Sequence, residues 1–404
     1  MATIGFESPS PNAKFACIFV EKLMGFESEW YAFDVSDDPQ HNQSPPLPPP
    51  PRPRFLQHAK HLLFPFHEDD ESRAFTLKPK ATAKFDNERC WAILGGSNHT
   101  LYRIRDSSGK DGSRDPRKPN LVERVDLIGG GSKWESVATM PNRIYDAHRC
   151  LVLNGKLYCL GGYRPSFIND VDVDYSERKR KWSEEKAAPW AMAYDPTADV
   201  WESLPDPPAV PEDDYATFSA VADFVNDKPR IVLGSPLKKM LQIYDVDTRD
   251  WEQQDFVIGD DRIQDLAHQT APLAVDNKLY WYAVNIHCLV GYDLDTKMWF
   301  QGYLPMHDHD AYVYSDHGEL PPCLGHLGGG DNFCLLWVSL LTPRSPGVPK
   351  LTDCNSRIHC MKFRVITIGK PSPDGASIPL EISVLSCQSY LVSGPRKFMD
   401  GLVV

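Results

Sequence analysis

The chain has 404 residues, a formal net charge of −12 and 42% hydrophobic residues, which is enough apolar material for a large packed interior. An acidic chain without a long basic run is a poor match for a phosphate backbone, so no nucleic-acid partner is expected. No apolar run reaches the roughly 20 residues of a membrane helix and no secretory signal is visible, so we expect no membrane contact and a cytoplasmic or nuclear location.

Two apolar runs open the chain, and a proline-rich run follows them. Residues 15–20 and 30–34 are predicted to be middle strands of an N-terminal sheet that lacks the tryptophan signal described below. Residues 45–53 read Pro-Pro-Leu-Pro-Pro-Pro-Pro-Arg-Pro, a composition that favours polyproline II. This run is either a stiff loop or a docking segment for an SH3, WW or profilin-like domain of a partner.

The best-formed unit begins near residue 143. Two apolar runs flank Asn154-Gly155, the strongest short signal for a β-hairpin. The second run ends at Gly161-Gly162, which suits a tight turn with positive φ and closes the second strand of the unit. An earlier apolar run, 90–94, also ends in a diglycine, so it too is predicted to be a second strand.

A tyrosine, an aspartate and a tryptophan recur three times at constant spacing. The Asp-to-Trp interval is six residues each time (201−195, 251−245, 299−293), and successive tryptophans are 50 and 48 residues apart (251−201, 299−251). A period of this length built from strands is typical of one blade of a β-propeller. A structural role is predicted because the aromatic rings supply packing area between sheets and the aspartate accepts local backbone N–H groups. These structural residues are Gly161, Gly162, Tyr194, Asp195, Trp201, Tyr244, Asp245, Trp251, Tyr292, Asp293 and Trp299.

The repeats predict an all-β fold in which residues 1–404 form a single propeller. Six four-stranded blades are the main interpretation, with five or seven as alternatives. Because an open ring leaves edge strands unpaired, we expect residues 380–392 to complete the first blade. The predicted bounds are 14–74 for a degenerate first blade with a Pro-rich loop at 44–54, 75–141 for blade 2, 142–210 for blade 3, 211–257 for blade 4, 258–306 for blade 5, and 320–392 for the last blade and ring closure.

The order of strand, diglycine, Tyr-Asp, Trp and Leu-Pro resembles the kelch repeat, most clearly over 143–208. The resemblance implies a closed propeller of the galactose oxidase/kelch superfamily, in which the aromatic pair packs within and between blades. It also implies protein binding. The chain is similar to plant kelch proteins without an F-box, because the strand pattern begins at residue 14 and leaves no room for an F-box or BTB domain before it.

Polar residues precede three of the predicted innermost strands. The segment 143–148 resembles 262–268, and 213–217 occupies the equivalent place in a third unit. Loops at one mouth of a propeller commonly carry its function, and such polar sets resemble the peptide pockets of kelch domains. We expect a protein partner or a small ligand to bind there; salt bridges between blades and capped strand ends are the alternative. The predicted binding residues are Arg143, Tyr145, Asp146, Asp214, Tyr215, Arg262, Asp265 and His268.

An iron(II) site is the alternative function. Plant kelch proteins of the specifier type have a lyase-like activity and a Glu-x-x-x-Asp-x-x-x-His iron motif, which Asp261 and Asp265 match in spacing while His268 lies one residue too close. Carboxylate and imidazole suit non-haem iron, so these three are weak metal candidates. The main expectation is no catalytic residue and no cofactor, because no phosphate loop or nucleophile elbow occurs. A scaffold that recruits partners through the polyproline run is the third hypothesis.

Two further groups of metal-ligand residue types are assigned no metal. The cluster of histidines and aspartates at 307–317 is predicted to be a solvated loop. The ten cysteines contain no Cys-x-x-Cys pair, so we expect buried apolar thiols and no zinc site.

Overall fold

The computed structural model describes residues 14–22, 27–35, 75–76, 81–84, 88–94, 99–105, 120–127, 133–141, 149–161, 189–209, 218–225, 228–258, 272–304, 322–328, 330–341, 355–368, 377–394 and 396–403. Within these ranges the chain forms 25 β-strands and one 3₁₀ turn at Val284–Ile286. No helix in this part of the chain is long and apolar enough to cross a membrane.

Twenty-four of these strands form six antiparallel groups of four, numbered I to VI; groups I to IV are separate sheets, whereas V and VI belong to one nine-stranded sheet that also contains β3. Group I has the order β25 (Arg396–Val403), β1 (Phe15–Lys22), β2 (Glu27–Asp34) and β4 (Ala81–Lys84). Group II has the order β5 (Glu88–Leu94), β6 (Thr100–Arg105), β7 (Leu121–Asp126) and β8 (Glu135–Ser136). Group III has the order β9 (Arg149–Leu153), β10 (Lys156–Leu160), β11 (Ala191–Asp195) and β12 (Val200–Ser203).

The remaining groups follow the same plan. Group IV comprises β13 (Phe218–Val225), β14 (Lys228–Ser235), β15 (Met240–Asp245) and β16 (Asp250–Asp255). Group V comprises β17 (Leu273–Val275), β18 (Lys278–Ala283), β19 (Cys288–Asp293) and β20 (Trp299–Tyr303). Group VI comprises β21 (Cys323–Gly328), β22 (Asn332–Leu341), β23 (Asn355–Thr367) and β24 (Ile378–Val392). Short parallel pairings join β24 to β20 and to β3 (Phe75–Thr76).

Apolar clusters fill the spaces, here called seams, between successive groups. Groups I and II share one cluster, II and III a second, III and IV a third, IV and V a fourth, and V and VI a fifth. A further cluster joins VI back to I, where the rings of Phe33 and Tyr390 are 4.4 Å apart. Since each group packs against the one before and the one after, the groups form a closed ring, and the predicted all-β propeller class is confirmed.

Strand β25 closes the ring. It pairs with β1 from Ala16↔Val403 to Lys22↔Arg396, so β1 and β2 are the middle strands of group I, as predicted for 15–20 and 30–34. The expectation that residues 380–392 complete the first blade is wrong, because they belong to β24 and pair with β23 in a long hairpin. Group I also extends past residue 74, since β4 pairs with β2.

The hairpin predicted at Asn154-Gly155 is present, whereas the strand position predicted for 90–94 is wrong. Asn154 and Gly155 have φ of 50° and 72°, and β9 pairs with β10 across them, so the predicted hairpin is confirmed. The run 90–94 lies in β5, the first strand of group II and not the second, because β6 follows it and pairs with both β5 and β7. The diglycine after it lies outside the described residues.

Gly161 is required for a reason other than the predicted positive φ. Its φ is not in the left-handed region, and its N–H donates to the Trp190 carbonyl at 2.7 Å. A Cβ at this position would lie 2.7 Å from that oxygen, so close packing excludes any larger residue. Gly162 lies outside the described residues. The blade number and the predicted domain bounds stay predictions, because stretches such as 36–74 and 162–188 are not described.

Candidate functional site

The first strand of every group lies at the centre of the ring. The central strands β5, β9, β13, β17, β21 and β25 contact one another in this order. Each group has an even number of antiparallel strands, so the chain leaves one group on the same face at which the next central strand begins. The N-terminal ends of the central strands therefore share one face of the ring, here called the entry face.

The predicted binding residues precede three of these central strands. The segment 143–148 is followed by β9, 213–217 by β13, and 262–268 by β17. These strands are neighbours at the centre and begin at the entry face. The eight predicted side chains lie outside the described residues, so the structure neither brings them together nor separates them.

The same type of hydrogen bond recurs in four of the seams. In four described cases, a tryptophan at the start of an outer strand, or just before it, donates its indole N–H to a backbone carbonyl of the preceding group. The pairs are Trp134 with Thr82 (3.0 Å), Trp201 with Ala138 (2.8 Å), Trp251 with Pro205 (2.9 Å) and Trp299 with Val257 (2.7 Å). In the last three, the carbonyl belongs to the linker that leads toward the entry face. The tryptophans thus hold both the seams and the beginnings of the linkers.

The recurring aspartates are occupied by local turns. Asp195, Asp245 and Asp293 each accept the backbone N–H groups of the residues two and three positions later, at 2.8–3.2 Å. The N–H groups of Ala198 and Thr197 hold the pKa of Asp195 below its usual range. Because these turns join the outer strands at the end opposite the entry face, the three carboxylates are committed to structure.

The recurring tyrosines lie in the seams. Tyr194, Tyr244 and Tyr292 are at most 1% exposed, and each packs against the tryptophan of its own repeat with ring centroids 4.9–5.1 Å apart. Burial raises the pKa of all three hydroxyls, which stay protonated at neutral pH. Their rings pack within and between groups, and two of the hydroxyls also form hydrogen bonds: Tyr194 donates to the Asp199 carboxylate and Tyr292 accepts the Val257 N–H.

Gln242 is a polar side chain that the sequence did not single out. It is fully buried, its amide N–H donates to the Ala209 carbonyl at 2.7 Å, and its carbonyl accepts the Ala209 N–H at 2.9 Å. The partner lies 33 positions away, so no local pattern predicts the contact. The available signal is a glutamine inside the apolar run of β15.

His359 forms a second buried polar cluster that the sequence did not predict. Its Nε2 lies 2.7 Å from the Ser339 hydroxyl and its Nδ1 lies 2.9 Å from the Ser389 hydroxyl, while the Trp337 ring stacks on the imidazole at 4.8 Å. Burial, aided by the nearby Arg357 guanidinium, lowers the pKa of His359 to about 3. A neutral imidazole donates one hydrogen bond and accepts one, so His359 links its own strand to the strands of Ser339 and Ser389. Its lowered pKa makes it a poor general base near pH 7.

Metal-ligand residue types are dispersed in the part of the chain that the structure describes. No three His, Cys, Asp or Glu side chains there are placed to hold a metal ion. The weak candidates Asp261, Asp265 and His268, and the cluster at 307–317, lie outside the described ranges. The eight cysteines whose side chains the structure describes form no disulfide, and seven of them are buried. Cys150 and Cys159 face each other across β9 and β10, with their sulfur atoms 3.2 Å apart.

Comparison with known proteins yields similar folds only. No family model and no curated protein matches the chain. The structure of YjhT is 12% identical, with a TM-score of 0.38 over 76% of this chain and 97% of that chain. The RRP9 WD40 repeats are 7% identical, with a TM-score of 0.37 over 76% and 82%. A 6-phosphogluconolactonase-like protein from Bacteroides fragilis is 6% identical, with a TM-score of 0.43 over 98% and 99%. The propeller class rests on the strand order and the closed ring of seams, not on these similarities.

Proposed function

We propose that this chain is a non-catalytic, kelch-type propeller that binds a protein partner at the entry face. The observation that carries the proposal is the adjacency of β9, β13 and β17, which begin at that face directly after the three segments with the predicted binding residues. The kelch assignment is supported by the recurring Tyr-Asp and Trp residues and their contacts in the seams.

The chemistry of the predicted residues favours a protein over a small ligand. Arg143 and Arg262 supply planar, permanently charged donors, and Tyr145 and Tyr215 supply rigid aromatic area, the residue types that dominate binding energy at protein interfaces. Asp146, three residues after Arg143 in the sequence, adds an acceptor for a basic group of the partner. A rigid ring beneath these segments lowers the entropy lost when the partner docks.

The test is the double substitution Asp146→Ala with Arg262→Ala. A partner is first recovered with the wild-type chain by affinity purification, identified, and prepared in pure form. We expect the double variant to bind this purified partner at least about 100-fold more weakly, because truncation of an interface hot spot costs about 2 kcal/mol or more. Isothermal titration calorimetry measures the affinities, and thermal unfolding verifies that the variant is folded.

The matched control changes one acid and one base at the opposite face. Asp295 and Lys228 are exposed and lie beside turns of groups V and IV at that face. Asp295→Ala with Lys228→Ala should bind like wild type. Equal affinity of wild type and the Asp146 and Arg262 double variant would remove the entry face as the binding site.

The two alternative functions have separate measurements. The iron(II) hypothesis predicts close to one equivalent of iron per chain after anaerobic reconstitution, and a Asp265→Ala variant should lose it. The scaffold hypothesis predicts that deletion of residues 44–54 abolishes partner recovery while the entry-face variants keep it. Neither result is expected if the partner binds at the entry face.

A further inference from the structure

Two cysteines face each other in the first hairpin of group III. Cys150 in β9 and Cys159 in β10 are directly paired across the strands, and their sulfur atoms are 3.2 Å apart. Both belong to the apolar cluster in the seam between groups II and III, where Cys150 is 7% exposed and Cys159 is fully buried. Two thiols are therefore in contact inside a seam, and Cys150 is the one that lies closer to water.

The turn of this hairpin determines the kind of pair that the two cysteines form. The two-residue turn at Asn154-Gly155 is flanked by Leu153 and Lys156, which form a hydrogen-bonded pair because the first carbonyl of such a turn accepts the last N–H. Hydrogen-bonded and non-hydrogen-bonded pairs alternate along antiparallel strands, so Cys150 and Cys159, three pairs farther along, are a non-hydrogen-bonded pair. The Cα atoms of such a pair are about 4.5 Å apart, within the range of about 4.4–6.8 Å that a disulfide requires.

A second pair of thiols is in contact but has a different backbone geometry. Cys334 and Cys360 are buried in the seam between groups VI and I, and the hydrogen bond between their side chains raises the pKa of Cys334. They are not opposite each other, because Cys360 is paired with Leu336 and Cys334 with Lys362. Diagonal neighbours of this kind have Cα atoms about 7–8 Å apart, which a disulfide does not span without a shift of the backbone. The pair in group III therefore has a geometry for a disulfide that the pair in group VI lacks.

We propose that Cys150 and Cys159 are a redox pair, in which Cys159 traps the peroxide-oxidised form of Cys150 as a reversible disulfide. The Cys150 thiolate attacks one oxygen of hydrogen peroxide, the O–O bond breaks, hydroxide leaves, and the sulfur becomes a sulfenic acid. The Cys159 thiolate then attacks this sulfur, the S–O bond breaks, and a second hydroxide leaves. The two thiol protons convert both hydroxides to water, so two thiols and one peroxide give one disulfide and two waters. The sulfur–sulfur distance of 3.2 Å lies in the range of about 3–3.5 Å from which bound atoms react.

The trap protects the seam between groups II and III. A sulfenic acid that meets no thiol is oxidised further to a sulfinic acid, which thiols do not reduce and which is negatively charged at neutral pH. In this seam the charge would be buried in a cluster that includes Met140 and Met192, and burial of a charge without a partner is costly. The disulfide carries no charge, so the seam stays apolar and the oxidation can be reversed.

The test treats the purified full-length chain with hydrogen peroxide and maps its cysteines by mass spectrometry. Remaining thiols are alkylated in denaturant, and the chain is digested with trypsin without a reductant. Trypsin cleaves after Lys156, between the two cysteines, so we expect two peptides joined through Cys150 and Cys159. Cys334 and Cys360 should be recovered as alkylated thiols. Dithiothreitol should restore the thiols of Cys150 and Cys159, because thiol exchange reduces a disulfide.

Cys159→Ala removes the trapping thiol, and Cys159→Val replaces it should alanine leave too large a cavity. After the same treatment Cys150 should carry two added oxygen atoms in these variants, and the melting temperature should fall by about 5 °C, whereas that of wild type should not fall. Cys360→Ala is the matched control, because it changes the pair without disulfide geometry, and it should respond to peroxide like wild type. Recovery of Cys150 and Cys159 as alkylated thiols in treated wild type would overturn the proposal. Cys159 variants in which Cys150 gains no oxygen would also overturn it, because no trap is then needed.

Discussion

The Tyr194 hydroxyl donates a hydrogen bond of 2.6 Å to the Asp199 carboxylate. The same carboxylate oxygen accepts the backbone N–H of Ala138 in group II at 3.0 Å, and the Ala138 carbonyl accepts the Trp201 indole N–H at 2.8 Å. Asp199 and Trp201 of group III therefore hydrogen-bond to both backbone polar groups of Ala138 in the preceding group, its N–H and its carbonyl. Sequence repeats alone do not reveal that the turn reaches across a seam.

The first prediction concerns these hydrogen bonds. Tyr194→Phe keeps the ring in the seam but removes the hydroxyl, so we expect a small drop in melting temperature. The Tyr194 and Ala138 hydrogen bonds hold the pKa of Asp199 below its usual 3.8, so its contribution is present above that value and is lost as pH falls through the lower folded pKa. Asp199→Asn should remove this acid dependence, as measured by thermal unfolding from pH 7 to pH 2. An unaltered pH profile in Asp199→Asn would contradict the prediction.

The second prediction concerns the indole hydrogen bond of a buried seam. Trp299 is 6% exposed and donates to the Val257 carbonyl at 2.7 Å. Trp299→Phe should destabilise the chain by about 1–3 kcal/mol, because the carbonyl loses its partner. Trp299→Ala should cost about 3–5 kcal/mol, because packing is lost as well. Urea unfolding measures both values, and an unchanged free energy of unfolding in Trp299→Phe would show that the N–H contributes nothing.

The third prediction separates two reasons for glycine. Gly161→Ala places a Cβ 2.7 Å from the Trp190 carbonyl oxygen, so the backbone must shift, and we expect a loss of about 1–3 kcal/mol. Gly155→Ala meets no atom within 4 Å but forces alanine into φ of +72°, which should cost about 1 kcal/mol. Gly155→Asn, which tolerates this φ, should cost less than Gly155→Ala. Chemical denaturation ranks the three, and the reverse order would refute the close-packing argument at Gly161.

The fourth prediction follows from the buried imidazole. The pKa of His359 in the folded chain, about 3, lies below its usual 6.5, so the unfolded chain binds the proton first as pH falls. His359 should therefore destabilise the fold progressively below pH 6.5, by up to about 5 kcal/mol near pH 3. His359→Gln keeps a donor and an acceptor but does not titrate. Its free energy of unfolding should depend less on pH, and parallel pH curves for the two proteins would disprove the assignment.

The fifth prediction concerns ring closure. Deletion of residues 396–404 removes β25 and leaves the β1 edge and the cores at both of its seams open to water. We expect loss of cooperative unfolding together with self-association, because exposed edges pair with one another. Size-exclusion chromatography and a melting curve check this. A monomeric, cooperatively folded deletion variant would mean that β25 does not hold the ring.

The parts of the fold that the sequence predicts are those in which the signal is local. The hairpin at Asn154-Gly155 and the turns at Asp195, Asp245 and Asp293 form within a few residues, so their patterns survive in each repeat. The closure by β25 could not be found this way, because β25 and β1 stand at opposite ends of the chain and β25 carries no repeat motif.

The candidate site shows the same difference between features with a local sequence signal and features that depend on long-range contacts. Its entry segments are predicted from their positions before innermost strands, and this stays a prediction because their residues lie outside the described ranges. The Gln242–Ala209 contact and the His359 cluster could not be predicted, because they join residues 20 to 33 positions apart in the sequence, and a single glutamine or histidine in an apolar run does not identify its partner. Polar residues at otherwise apolar repeat positions are the signal to look for in similar chains.

Closure by β25 has a consequence for biosynthesis. During translation β1 can pair with β2 early, but its other edge waits for β25, which lies 374 residues later in the sequence (396−22). While those residues are made, one edge of β1 is unpaired, which makes the nascent chain a natural client for chaperones that shield extended segments.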